Sequence, residues 1–197
     1  MAMILAIFQA ITGINIVMYY APTIFARAGV GTGRALDHSV IIGVVMLLFT
    51  LGSMQLVDRW GRRPIMLCAS AGMGLSLALL GMTFAHSSEA GWELLVLILV
   101  YVSSFSIGMG GIYWVLISEI FPTRVRGAAA SLSVVFLWGG NYLVSQFFPW
   151  LLATLAGNVF FVFSLMCLLC FGFVWAFVPE TKGKSLEVIE AELFGVK

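Results

Sequence analysis

Amides interrupt long apolar stretches of this 197-residue chain, and Gln9, Asn15 and Asn141 are its first candidates for binding chemistry, with Thr12 and Gln146 as further polar candidates in the same stretches. Gln9 and Asn15 lie in the first such stretch, and Asn141 lies in the last. An amide offers both a donor and an acceptor, so this set can bind a hydroxylated solute reversibly. At 100° per residue of helix, Gln9 and Asn15 point about 120° apart. They converge on one solute only if the solute is broad or the helix breaks near Gly13.

Two tryptophans could accompany these amides, because an aromatic face can pack against the apolar C–H groups of such a solute. Trp138 lies in the middle of an apolar stretch and is interpreted either as packing or as a pocket wall. Trp114 lies five residues before Glu119. Composition alone favours a place for Trp114 in an interfacial aromatic belt.

A second group of candidate residues is charged and lies between the apolar stretches. The loop Asp58-Arg59-Trp60-Gly61-Arg62-Arg63-Pro64 holds three guanidiniums and a carboxylate in a tight turn. Glu119 and Glu180 close two later apolar stretches, and Arg126 follows the first of these acids. The plain interpretation is a basic loop that orients the chain in a membrane. Such a loop needs neither the acid at its start nor the glycine in its middle, which leaves room for a more specific role.

The elements that must position these residues are membrane-spanning helices. The chain is 61% hydrophobic and 10% charged, whereas a soluble domain is roughly half apolar and about a quarter charged. A helix needs about 20 apolar residues to cross a bilayer. Five uncharged stretches are long enough, and the last suits two helices divided near Ala156-Gly157-Asn158: Met1–Ala26, Ser39–Val57, Pro64–Ser88, Leu94–Ser118 and Gly127–Pro179. The sequence predicts an all-α membrane protein with six transmembrane helices and an outer loop over Arg27–Asp37.

The placement of the basic residues predicts the orientation. The side that both termini share holds eight Lys and Arg residues, and the opposite side holds only Arg27 and Arg34. By the positive-inside rule both termini are expected in the cytoplasm, with the protein in the plasma (inner) membrane. Residues 1–178 are predicted to form the six-helix transmembrane domain and residues 179–197 a cytoplasmic tail. Within the tail, Leu186, Ile189 and Leu193 have the spacing of a short amphipathic helix.

Four motifs occur in order along the chain. Besides the Asp58–Pro64 loop, they are Gln9-x-x-x-Gly13-x-Asn15-x-x-x-Tyr19-Tyr20, Ser118-Glu119-Ile120-Phe121-Pro122-Thr123-Arg124-Val125-Arg126-Gly127 and Pro179-Glu180-Thr181-Lys182-Gly183-Lys184-Ser185-Leu186-Glu187. The loop resembles the cytoplasmic signature of the major facilitator superfamily. The other three resemble the seventh, tenth and twelfth helices of its sugar porter family. The resemblance covers essentially the whole chain and implies the C-terminal six-helix half of a twelve-helix carrier.

This resemblance implies roles for the candidate residues. It implies a cytoplasmic gate of arginines paired with acids, formed by Asp58, Arg59, Arg62, Arg63, Glu119, Arg126 and Glu180. It implies a substrate site in a discontinuous seventh helix and its neighbours, formed by Gln9, Asn15, Trp114, Trp138 and Asn141. By this resemblance Trp114 belongs to the site instead of the aromatic belt.

The chain also departs from the pattern of the family. Ala10 stands where a second glutamine is usual, Met46 where an asparagine is common, and Leu137 where an amide often precedes the tryptophan. Gly111 replaces a usual proline. Three fewer polar contacts imply a more apolar pocket, which leaves the identity of the sugar open and allows a different polyol or a less polar solute.

The leading hypothesis is a secondary transporter of a sugar or polyol that works by alternating access. Its expected partners are the lipid bilayer and either an N-terminal six-helix half or a second copy of the chain. The alternative is a non-transporting membrane sensor or interaction protein that keeps the fold. No enzyme, cofactor, metal or nucleic acid is predicted, since His38 and His86 lie at span ends and nothing resembles a catalytic triad. Cys167-x-x-Cys170 is interpreted as packing.

Overall fold

The computed structural model describes residues 1–27, 32–86, 91–121 and 125–183, and the regular structure in these ranges is helical. A π-helical turn, Ser106–Gly110, joins α5 to α6, and a 3₁₀ turn, Ala156–Asn158, joins α7 to α8. The eight α-helices of the described ranges are α1 (Ala2–Ile11), α2 (Ile14–Arg27), α3 (Thr32–Trp60), α4 (Arg62–His86), α5 (Gly91–Phe105), α6 (Gly111–Ile120), α7 (Arg126–Leu155) and α8 (Val159–Phe177).

Five helical stretches are apolar and long enough to cross a bilayer. They are Ala2–Phe25, Asp37–Trp60, Arg62–Ala85, Trp92–Ile120 and Arg126–Phe177. The last is 52 residues long, and as one straight helix it would extend about 78 Å, more than twice the hydrocarbon thickness.

The chain reverses within this last stretch. Ala156 has a φ of 47°, and beyond it the Phe163 ring of α8 lies 6.3 Å from the Phe148 ring of α7. Further along α8, the Phe173 ring lies 5.4 Å from that of Phe8 in α1. Helix α1 in turn packs against an earlier part of α7, where Ala10 lies beside Gly140. Helices α7 and α8 are therefore antiparallel, and the prediction of an all-α membrane fold with six helical passes is confirmed.

The ends of the helices differ from the prediction because helices continue into charged sequence. Helix α3 begins at Thr32, so the prediction of a loop through to Asp37 is wrong. At its other end α3 includes Asp58 and Arg59. Charge marks where the hydrocarbon ends, whereas a helix can run on into the polar headgroup region. The predicted tail helix around Leu186 lies outside the described residues.

Small residues let the helices that carry the site approach closely. A Cβ added at Gly108 would lie 2.1 Å from the Cβ of Ala69 on α4, and one added at Gly72 would lie 2.6 Å from Oγ of Ser104 on α5. Helix α8 packs on the other side of α4, where the Ser164 hydroxyl donates to the Gly74 carbonyl (2.7 Å). Helix α4 is thus held firmly between α5 and α8. The free thiol of Cys167 is buried in α8.

Candidate functional site

A cleft of about 220 Å³ opens among α1, α2, α3, α5, α6 and α7. It brings together all five residues that the sequence placed at a substrate site, namely Gln9, Asn15, Trp114, Trp138 and Asn141. The other lining residues are Ile14, Met46, Thr50, Phe105, Gly110 and Leu137. We refer to this set of lining residues as the cleft.

A helix break explains how Gln9 and Asn15 reach the same cleft. Helix α1 ends at Ile11 and α2 begins at Ile14, and between them Gly13 has a φ of +91°. This conformation favours glycine, and an added Cβ would also lie 3.0 Å from the Phe163 ring. The Tyr101 hydroxyl donates to the Thr12 carbonyl at 2.8 Å, so a carbonyl at the break keeps a partner. The sequence condition for convergence, a break near Gly13, is met.

Two amides in the cleft have acceptors without partners. The side chains of Gln9 and Asn141 are only 6% and 7% exposed. Among the described residues, neither Oε1 of Gln9 nor Oδ1 of Asn141 has a hydrogen-bond partner. A buried acceptor that forms no hydrogen bond lowers the folding stability by about 1–3 kcal/mol. Two such acceptors in one cleft are therefore suited to a ligand that donates hydrogen bonds.

Aromatic side chains provide a second kind of surface in the cleft. Trp114 is 46% exposed and meets the Tyr113 ring edge-on at 5.2 Å between centroids. Trp138 is also exposed, on α7 beside Leu137. Such faces can pack against the C–H groups of a ring.

Two of the four departures from the family pattern line the cleft. Met46 and Leu137 are lining residues. Ala10 is buried instead beneath α7, where its Cβ would lie 2.9 Å from a Cβ added at Gly140. Gly111 lies beside Ser53. The apolar character expected of the pocket therefore comes from two positions and not from three.

Sequence reasoning did not select Thr50, Phe105 or Gly110, which also line the cleft. Thr50 carried a signal, since it is a polar residue one helical turn after Met46 in an apolar stretch. Gly110 lies in the π-helical turn Ser106–Gly110, and such turns occur frequently at functional sites.

A charged cluster lies where α4, α6 and the segment after α8 come together, with Arg62, Glu119 and Glu180 at its centre. Of the other residues expected at a gate, Arg59 and Arg63 bond to Lys182 and Trp175, whereas Asp58 and Arg126 form no hydrogen bond or ion pair with Glu119 or Glu180 among the described residues.

The ion pair of this cluster joins Nη2 of Arg62 to Oε1 of Glu119 at 2.8 Å, with 14% and 20% of the two side chains exposed. The Thr181 hydroxyl donates to the other oxygen of Glu119 at 2.6 Å. Both oxygens of Glu119 therefore have partners, one on α4 and one just beyond α8.

Glu180 binds the start of α4 differently from what was expected. Its Oε1 accepts from the backbone N–H of Arg62 (2.9 Å) and of Lys182 (3.0 Å). Its Oε2 accepts from the backbone N–H of Arg63 (3.1 Å). A carboxylate at a helix N-terminus satisfies free N–H groups and favours the helix dipole. Glu180 is therefore a capping residue for α4, whereas the sequence suggested a pair with a guanidinium.

Gly61 makes this docking of Glu180 possible. Its φ is +92°, and an added Cβ would lie 2.6 Å from Oε2 of Glu180. Two features of the structure therefore require a glycine in the middle of the basic loop: a left-handed backbone and a carboxylate too close for a Cβ.

The remaining charged residues mostly meet backbone atoms. Nη2 of Arg63 donates to the Trp175 carbonyl at 2.6 Å, and Nε of Arg126 donates to the Phe121 carbonyl at 3.2 Å. The ammonium of Lys182 donates to the carbonyl of Arg59. Within the described ranges, the exposed side chains of Asp58 and Arg59 form no recorded ion pair. Arg124 lies outside the described residues.

Helix α6 connects the cleft with the charged cluster. Trp114 lines the cleft and Glu119 forms the ion pair, five residues later on the same helix. This spacing is about 7.5 Å along the helix axis. Movement of α6 would therefore affect both sites at once.

Comparisons with known proteins give matches that cover almost the whole chain. A family model described as "Sugar (and other) transporter" matches residues 1–193. The chain is 43% identical over 193 residues to the probable metabolite transport protein CsbC of Bacillus subtilis, covering 96% of this chain and 42% of the relative. It is 41% identical over 194 residues to the D-xylose-proton symporter of Escherichia coli, covering 95% of this chain and 39% of the relative.

Solved structures give the same result. The chain matches the proton:xylose symporter XylE bound to 6-bromo-6-deoxy-D-glucose with a TM-score of 0.88 and 40% identity, over 97% of this chain and 42% of that one. An inward-open structure of XylE from E. coli matches with a TM-score of 0.84 and 37% identity, over 97% and 40% of the two chains. The chain thus spans about two fifths of the length of these relatives.

Proposed function

Because the chain belongs to the sugar (and other) transporter family, we propose that it forms the C-terminal half of a carrier that moves a sugar or polyol across the plasma (inner) membrane. The observation that carries the proposal is the cleft, in which two buried amide acceptors without partners face the same space as two tryptophans. A sugar supplies the hydroxyl donors that Gln9 and Asn141 lack and an apolar C–H face for Trp114 or Trp138.

The charged cluster supports movement by alternating access. The Arg62–Glu119 pair joins α4 to α6, and Glu180 attaches the chain end beyond α8 to the start of α4. Breaking such a pair leaves unpaired charges that are partly shielded from water, which is costly. A cluster of this kind can hold one end of the helical bundle closed in one state and release it in another.

The orientation and the partner are parts of the same proposal. The excess of basic residues on the side of the charged cluster supports a cytoplasmic location for that cluster and for both termini. The cleft is open on the side that α1 to α8 do not cover, and carriers of this kind bind their substrate between two halves near the midplane. An N-terminal half is the expected second wall, and a second copy of this chain is the alternative.

Uptake of radiolabelled sugar tests the proposal directly. The protein is expressed from its full reading frame, and uptake into membrane vesicles is compared for the wild type, Gln9→Leu and Asn141→Leu. We expect the rate of uptake at low sugar concentration to fall at least about fivefold in each variant, since a lost hydrogen bond in a binding site costs about 1–3 kcal/mol. Gln55→Leu is the matched control, because Gln55 is an exposed amide on α3 that does not line the cleft.

Equal uptake by the wild type and both cleft variants would contradict the proposed site. Sugar binding without uptake under any gradient would contradict transport and favour the non-transporting sensor.

A further inference from the structure

The Arg62–Glu119 ion pair uses a single nitrogen of the guanidinium. In the described part of the chain, Nη2 of Arg62 donates to Oε1 of Glu119 at 2.8 Å, whereas Nε of Arg62 is buried without a partner. A bidentate pair, in which two parallel N–H groups meet both carboxylate oxygens, fixes the orientation of the carboxylate. Because Arg62 holds only one oxygen, the orientation of Glu119 depends on a second group.

Thr181 supplies that second group. Its hydroxyl donates to Oε2 of Glu119 at 2.6 Å, which is the usual length of a hydroxyl bond to a carboxylate. Thr181 lies beyond the end of α8, outside regular structure, yet it is only 3% exposed. Connecting segments normally run over the surface of a protein. The burial of this hydroxyl against a carboxylate is therefore a specific feature of the segment.

The residues on either side of Thr181 hold it in this position. Glu180 accepts from the backbone N–H groups at the start of α4. The ammonium of Lys182 donates to the carbonyl of Arg59, near the end of α3. With Thr181 bound to Glu119 of α6, three consecutive residues bind three different helices. We refer to residues 180–182 as the docking segment.

We propose that Thr181 is a positioning residue of the charged cluster. Its hydroxyl orients Glu119 toward Arg62, and α6 must separate from the docking segment whenever this end of the helical bundle opens. The inference rests on the proposed alternating access and identifies a contact that has to break during that movement.

The physical reason lies in the second oxygen of Glu119. Without the Thr181 hydroxyl, this oxygen is a shielded, charged acceptor that has lost its partner, which destabilises the closed arrangement. In an open arrangement water solvates the carboxylate, so loss of the hydroxyl has little effect there. Removal of the hydroxyl therefore shifts the equilibrium toward the open arrangement.

Hydrogen–deuterium exchange of the full-length protein without sugar tests this inference. The backbone amides of Arg62 and Arg63 report on the docking segment, because Glu180 accepts from both. In Thr181→Val, we expect these two amides to exchange about tenfold faster, since the segment detaches more often and a bond to a charged group contributes at least about one factor of ten. Thr181→Ala also lacks the hydroxyl and should give the same increase.

Thr181→Ser separates positioning from packing. Serine keeps the hydroxyl and loses only a methyl group, so the exchange of both amides should stay within about twofold of the wild type. Thr83→Val is the matched control, because Thr83 lies on α4 and its hydroxyl donates to the Leu79 carbonyl of its own helix. The control should exchange like the wild type.

A double variant tests whether Thr181 acts through Glu119. If the hydroxyl works only by holding this carboxylate, Thr181→Val should add no further increase in exchange to that of Glu119→Ala. Independent, additive increases would contradict the proposed role.

Two other results would overturn the inference. One is wild-type exchange in both Thr181→Val and Thr181→Ala. The other is an equal increase in Thr181→Ser and Thr181→Val, which would show that packing and not the hydroxyl is responsible. Because the measurement needs no sugar, either result leaves the proposed transport to the separate test with the Gln9 and Asn141 variants.

Discussion

The charged cluster and the cleft differ in how their acceptor atoms are satisfied. In the cluster, both oxygens of Glu119 and both oxygens of Glu180 accept hydrogen bonds from groups within this chain. In the cleft, Oε1 of Gln9 and Oδ1 of Asn141 accept none from the described residues. The two regions share helix α6, along which Trp114 and Glu119 are about 7.5 Å apart.

This difference separates carboxylate acceptors that the chain satisfies by itself from amide acceptors that a ligand could satisfy. Satisfied carboxylates stabilise one arrangement of α4, α6 and the segment after α8. Unsatisfied amides lower stability slightly and become favourable only when a hydrogen-bond donor arrives. Variants in the cluster should therefore change the conformation of the protein without ligand, whereas variants in the cleft should change binding.

The largest effect is expected from Gly61→Ala in the cluster. The new Cβ would collide with Glu180, and a left-handed backbone costs alanine about 1–2 kcal/mol. With the loss of the α4 cap added, we expect about 3 kcal/mol of destabilisation, measured as a lower midpoint of thermal denaturation in detergent.

Gly183→Ala is the matched control for this prediction. Gly183 has a φ of +73°, and an added Cβ would meet nothing within 4 Å among the residues that the structure describes. It shares the backbone strain without the collision, so its midpoint should fall much less. Equal losses in the two variants would show that the Glu180 contact contributes nothing.

A smaller effect, of about 2 kcal/mol, is expected from breaking the Arg62–Glu119 pair. Hydrogen bonds to charged groups contribute about 1.5–3 kcal/mol, and the partial exposure of this pair keeps the value below that of a fully buried pair. Arg62→Gln and Glu119→Gln should each lower the thermal midpoint. They should also increase labelling by a thiol reagent of single cysteines placed on the face of α6 that the ion pair covers.

The double variant tests whether the two residues act together. Coupling through one ion pair predicts that Arg62→Gln with Glu119→Gln costs clearly less than the sum of the single changes. Additive losses would mean that the two side chains act independently, contrary to the geometry.

The smallest effect, about 1 kcal/mol, is expected from Tyr101→Phe at the helix break beside the cleft. This change removes the donor to the Thr12 carbonyl. Sugar affinity should fall by about fivefold, because Gln9 and Asn15 lose a support for their relative orientation, while the Arg62–Glu119 pair stays formed. Ser104→Ala is the control, since in the described part of the chain its hydroxyl donates to the Val100 carbonyl of its own helix. An unchanged sugar affinity would show that the break needs no support from Tyr101.

Much of this architecture could be predicted from the sequence because it follows from hydropathy and glycine. The lengths of the apolar stretches predicted the helical passes. Gly13, which lies between Gln9 and Asn15, indicated the helix break that brings these two amides together. The partners of Glu180 could not be predicted. A charge suggests an opposite charge, whereas the free N–H groups at the start of α4 are visible only when the backbone is placed.

The boundaries of the pocket were equally hard to derive. Ala10 and Met46 are both apolar replacements in sequence, yet only Met46 lines the cleft, because Ala10 is covered by Gly140 of α7. Which face of a buried helix meets a neighbour depends on the packing of all the helices and not on local pattern. Thr50 was missed for the same reason.

Equilibrium binding of a radiolabelled monosaccharide to the purified full-length protein tests the central claim most directly. The claim is that the unsatisfied amides of the cleft receive the hydroxyls of a sugar, while the charged cluster does not take part in binding. We predict saturable binding that Gln9→Leu and Asn141→Leu each weaken at least about fivefold without lowering the thermal midpoint. Saturable binding of the same affinity in both variants, or no binding by a folded wild type, would contradict the account.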